Sequence, residues 1–134
     1  MIKNEETFAG TGGTKLNLRT WRPEGRPRAV VVIVHGFKAH SGLYEWPAQN
    51  LARDGIAVYA LDLRGNGKSE GESFWLENFS DYQGDLDRLF DIVRDRDRGL
   101  PLFLLGHSAG GVISCAWALE HQSELAGFIC EAFA

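Results

Sequence analysis

Residues 100–119 read LPLFLLGHSAGGVISCAWAL, and no other stretch constrains the fold as strongly. Five of its first six residues are apolar, and the chain then passes through Gly106-His107-Ser108-Ala109-Gly110-Gly111 into a second apolar run. An apolar run of strand length, a turn of small residues and an apolar run of helix length predict a strand, a sharp turn and a helix over 101–106 and 110–121. A strand buried on both faces reads as such a continuous run, so a sheet with covering helices is required around it.

The remaining pattern supplies that sheet. Residues 6–21 alternate loosely around Gly10, Gly12 and Gly13, which predicts a hairpin with 14–21 as its second strand and Leu16 and Leu18 on one face. After the Pro/Gly-rich turn RPEGRPR, the run AVVVIVHG (29–36) predicts a buried strand. Tyr44, Ala48, Leu51 and Ala52 recur at helical spacing up to Gly55, and 56–67 predicts a second buried strand entering a Gly-rich loop. Phe79, Tyr82, Leu86, Leu89, Phe90 and Val93 mark a helix, with Ser80 and Gln83 as a capping box and Asp81, Asp85 and Asp87 on a solvated face. A last strand is expected over 125–133. Two antiparallel strands followed by strand–helix alternation predict an α/β fold: a mostly parallel sheet, helices on both faces, and a first hairpin.

Composition narrows the partners. The 134 residues are one domain's worth of chain or a piece of a larger domain, 44% hydrophobic and 24% charged with a net charge of −4. That balance predicts neither nucleic acid nor an anionic membrane as partner, and no run is long enough to span a bilayer. The charged N-terminus lacks an apolar signal core, which predicts a cytoplasmic chain. Cys115 and Cys130 lie in apolar runs and are expected to be free and buried; no metal and no organic cofactor are expected.

The chemistry centres on Ser108. G-x-S-x-G by itself is a weak signal, but a serine between an apolar strand and a helix is the context of a nucleophile elbow. The sharp turn raises the hydroxyl at the C-terminal edge of the sheet, and Gly106 and Gly110 leave room for it. The backbone N–H of Ala109 then stands at a helix N-terminus, where it can stabilise an oxyanion. A second donor is expected from the turn after the strand at 29–34, His35-Gly36-Phe37, through the N–H of Phe37. His35 and His107 are read as ordering their loops rather than transferring protons.

Three stretches, VVIVHGFKAHSGLYEW, VYALDLRGNGKSEGE and LFLLGHSAGG, together resemble the α/β-hydrolase superfamily, and within it the monoacylglycerol lipase and lysophospholipase group. The resemblance implies that Ser108 is acylated and that the amides of Phe37 and Ala109 hold the oxyanion. It implies a structural loop over 62–69, with Asp62 and Arg64 as organisers. The group's usual residue at position 66 is histidine; here it is Asn66.

In that superfamily the chain order is Ser, then Asp or Glu, then His. Only His121 follows Ser108, 13 residues on, and a helix carries it about 20 Å away. His40 has no orienting acid in view and is not assigned as a base. The triad is therefore incomplete within these residues, and 1–134 is expected to be the N-terminal part of one hydrolase domain. Its acid, histidine and lid would lie in a C-terminal half, carried as a further segment or a second chain. With that half, the expected activity is hydrolysis of monoacylglycerols, lysophospholipids or short acyl esters, without a cofactor. The alternatives are a non-catalytic assembly half and, within enzymes, a proline iminopeptidase-like peptidase.

Overall fold

The computed structural model describes residues 1–72 and 79–132. In chain order they form β1 (Ile2–Ala9), β2 (Lys15–Arg22), β3 (Ala29–Val34), α1 (Glu45–Arg53), β4 (Ile56–Leu61), α2 (Phe79–Arg96), β5 (Leu102–His107), α3 (Ala109–Glu120) and β6 (Gly127–Glu131). One six-stranded sheet runs β1-β2-β4-β3-β5-β6. The expected α/β architecture is observed: β1 and β2 form an antiparallel hairpin, β2 joins β4 antiparallel, and β4, β3, β5 and β6 are parallel.

The β-branched run of β3 is central because both of its neighbours are parallel strands, and all six of its residues are buried. Its alternating side chains feed two cores. Val30, Val32 and Val34 join Tyr59, Leu61 and Leu104 beneath Leu86, Leu89 and Phe90 of α2 and Ile113 and Trp117 of α3. Val31 and Ile33 pack with Trp21, Val58 and Ala60 against Ala48 and Ala52 of α1. Each large aliphatic side chain withdrawn from water this way contributes about 1.5–3 kcal/mol before entropy is counted. Among the described residues no helix is long and apolar enough to cross a membrane.

Four sequence expectations change. Ser80 and Gln83 do not cap α2: Ser80 lies inside the helix, and Gln83 Nε2 donates to the Ile113 carbonyl at 3.0 Å, tying α2 to α3. Asp85 is not on a solvated face. It is 1% exposed and accepts from Arg64 Nε and Nη2, both at 2.8 Å, and from the Thr11 amide at 2.8 Å. The reason is helical geometry, since position 85 stands between Tyr82 and Leu86 in the stripe that faces the sheet. The cysteines are not both buried: Cys115 is half-buried, and Cys130 is exposed because β6 is the edge strand. The strand expected to 125–133 occupies a shorter span, and its position 133 lies outside the described residues.

Candidate active site

β5 ends at His107, α3 begins at Ala109, and Ser108 makes the whole turn with φ 55° and ψ −122°. A non-glycine residue in this region costs about 1–3 kcal/mol, so its surroundings must hold it there. They do so through both backbone groups. The Ser108 amide donates to the Glu131 carbonyl at 2.9 Å, and its carbonyl accepts from Gly111 and Val112 at 2.8 and 3.2 Å. Tight packing on either side excludes larger residues. A Cβ on Gly110 would sit 2.2 Å from the His35 carbonyl oxygen and 2.3 Å from that of Val34, so α3 starts directly against the end of β3. At Gly106 a Cβ would meet the Gly110 carbonyl oxygen at 2.6 Å.

The His35-Gly36-Phe37 turn lies beside the serine. A Cβ built on Gly36 would stand 3.3 Å from both the Ser108 Cβ and the His107 carbonyl oxygen. Phe37 follows, half-buried, and Lys38 has the left-handed φ of 60°. His35, expected to order its loop, has both ring nitrogens engaged by backbone groups. Its Nε2 accepts from the Leu63 amide at 2.9 Å, which leaves the ring proton on Nδ1, 2.5 Å from the Gly36 carbonyl oxygen. Burial pushes this imidazole below its usual 6.5, outweighing the Gly36 hydrogen bond.

Beneath the turn, Asp62 gathers the loops. Oδ1 accepts from the Ser41 amide and hydroxyl, each at 2.7 Å; Oδ2 accepts from the Lys68 amide at 3.0 Å and from Asn17 Nδ2 at 3.2 Å. Burial acts to raise its pKa, yet these donors, the Lys68 and Ser41 amides first, hold the carboxyl below the usual carboxylate range. Arg64 reaches sideways to Asp85 and the Thr11 carbonyl, so it braces the N-terminal loop against α2.

The other histidines make contacts of their own. His40 Nδ1 accepts from the Gly42 amide at 3.1 Å and caps the 3₁₀ turn at Ser41–Tyr44. His107 Nδ1 is 3.2 Å from Glu131 Oε1. His121 closes the far end of α3, stacked on Trp117 at 3.8 Å between ring centres, with Nδ1 2.7 Å from the Trp117 carbonyl oxygen. Among the described residues no histidine is hydrogen-bonded to the Ser108 side chain. The chemical content is thus a half-buried serine at a sharp strand–helix turn, a helix N-terminus at Ala109 and a braced turn carrying Phe37. Sequence reasoning missed one participant, Asn66, whose side chain is buried between the two loops. The sequence marked it as a polar residue between Gly65 and Gly67, at a position where the resembling group has histidine, but gave it no role.

Known proteins resemble this chain in sequence and fold. The profile of the Hydrolase_4 family, described as "Serine aminopeptidase, S33", matches residues 25–134. A monoacylglycerol lipase of Mycolicibacterium smegmatis is 37% identical over 127 residues, covering 95% of this chain and 45% of that protein. The human monoglyceride lipase is 38% identical over 117 residues, covering 87% of this chain and 39% of that protein. Among solved structures, a thermostable carboxyl esterase from Bacillus coagulans superposes with a TM-score of 0.81 at 27% identity, over 97% of this chain and 44% of that one. The chain therefore spans less than half the length of these relatives.

Proposed function

This chain belongs to the Hydrolase_4 family, and on that premise we propose that Ser108 is the nucleophile of a serine hydrolase cleaving carboxylic esters, monoacylglycerols and lysophospholipids among them. The observation that carries the proposal is the left-handed Ser108 at the β5–α3 junction with Gly36 packed against it. The Ser108 oxygen attacks the ester carbonyl as its proton leaves to a general base. The tetrahedral oxyanion is held by the amides of Phe37 and Ala109, the alcohol departs protonated, and water cleaves the acyl-serine. Two relatives named as monoglyceride lipases support an acylglycerol over other esters.

The base and its orienting acid belong, in this reading, to a C-terminal half, since the relatives are more than twice as long as the matched region. Residues 1–134 alone then supply a nucleophile without a base. This also defines the second reading, a non-catalytic half, which is favoured for the isolated segment because no hydrogen bond joins a described histidine to the Ser108 side chain.

A fluorophosphonate probe tests both. In the protein joined to its C-terminal half, the peptide containing Ser108 should gain the probe's mass, and Ser108→Ala should abolish labelling and lower ester turnover about 10⁴-fold or more. Absence of labelling with both halves present would overturn the enzyme reading. Assaying an acylglycerol beside an amino-terminal proline amide separates ester from peptide hydrolysis.

A further inference from the structure

Asn66 is 7% exposed, and both ends of its amide are used. Oδ1 accepts from the Lys38 amide at 3.0 Å, and Nδ2 donates to the Arg64 carbonyl at 3.2 Å. A donor on one side and an acceptor on the other leave a single orientation of the amide. Its own backbone is anchored too, donating to the Leu63 carbonyl at 2.9 Å and accepting from Ser69 at 3.0 Å.

Two successive peptide units are thereby fixed on either side of Phe37. In the first, the Gly36 carbonyl receives His35 Nδ1–H at 2.5 Å and the Ala39 amide at 3.3 Å. Because the peptide is trans, the Phe37 N–H points opposite to that held carbonyl. In the second, the Lys38 N–H is held by Asn66 Oδ1. Lys38 sits in the left-handed region at φ 60°, a conformation that costs about 1–2 kcal/mol for a residue with a Cβ. An unsupported loop would relax by turning these peptide planes. His35 reports to Leu63 and Asn66 to Arg64, so both clamps are grounded on the loop after β4.

We propose that Asn66 is a positioning residue for the oxyanion hole: with His35 it clamps the two peptide units flanking Phe37 and so aims the Phe37 N–H at the reacting carbonyl above Ser108. This rests on the reading of Ser108 as nucleophile. The contribution is made in the transition state, because the clamp orients a donor that matters most when negative charge develops.

The test compares Asn66→Ala and Asn66→His with the parent, each joined to the C-terminal half, by ester kinetics and fluorophosphonate labelling. Asn66→Ala removes the acceptor and should lower kcat about tenfold with KM within twofold, a fraction of the loss from deleting a whole oxyanion donor. Asn66→His places Nδ1 where Oδ1 stood and should restore kcat to within about threefold. Should Asn66→Ala fail to fold, Asn66→Ser, which is too short to reach Lys38 but keeps the pocket polar, takes its place with the same expectation. An unchanged kcat in a variant lacking the acceptor, with Ser108 of the parent labelled, would overturn the clamp and leave the nucleophile standing. A kcat loss that histidine does not restore would reduce Asn66 to a structural brace and likewise overturn it. A parent that does not label at Ser108 would overturn the nucleophile reading first, and the clamp with it.

Discussion

Two buried aspartates, at opposite ends of the parallel strands, do different work. Asp62 lies just past the C-terminal end of β4 and is satisfied mainly by donors from two loops, two of them the backbone amides of Ser41 and Lys68. Asp97 lies just past the end of α2, beside the start of the sheet, and is satisfied by side chains: Arg22 grips both oxygens at 2.6 and 2.9 Å and the Tyr59 hydroxyl donates at 2.6 Å. Burial drives both carboxyls upward, and their donors bring both below the usual carboxylate value. A carboxylate that collects amides dictates the path of the backbone. One that collects a guanidinium and a phenol staples finished elements together. In open α/β sheets ligands bind beyond the carboxyl ends of the strands, and it is there that the loops are placed by backbone contacts.

The contrast is open to direct attack. The largest effect is expected from Asp62→Ala, which strands several buried donors: a loss of about 3–5 kcal/mol by denaturant unfolding, with ester kcat lowered at least tenfold in the remaining folded protein. Asp97→Ala should cost about 2–4 kcal/mol, softened because the Arg22 side chain is 30% exposed, yet leave kcat/KM within twofold. Equal losses of activity in the two variants would erase the distinction.

A smaller effect concerns His35. Its folded pKa lies below 6.5, so below that pH the unfolded chain takes up a proton that the folded chain refuses. Stability should be flat in this contribution above pH 6.5 and should decline as pH falls toward the folded value. A decline that persists unchanged in His35→Gln would assign it to another group. The two aspartates act in a lower window, since their stabilisation is lost only as pH falls through folded values already below 3.8. Smallest of all, Arg98→Ala should change stability by under about 0.5 kcal/mol, its partner Asp95 being as exposed as itself.

Much of the fold was legible because the signals were redundant. β3 reads as a buried strand from its continuous β-branched run, and β5-Ser108-α3 from an apolar run meeting glycines. Asp85 was misread because charge patterning describes a helix face without saying what lies opposite; Arg64, 21 residues earlier, turns an apparent surface charge into a buried ion pair. Cys130 was misread for the converse reason: an apolar residue is buried only where a neighbouring layer covers it.

What the sequence determined by itself was the strand–turn–helix around Ser108, because local sterics allow few arrangements of small residues at the end of a buried strand. The tertiary structure decided what surrounds that serine. The contacts of Gly36 with Ser108, of His35 with Leu63 and of Asn66 with Lys38 join residues 28 or more positions apart, apart from any local propensity. They exist because the parallel register sets Val34 beside both Leu61 and Gly106, which brings three separate loops out at one edge of the sheet.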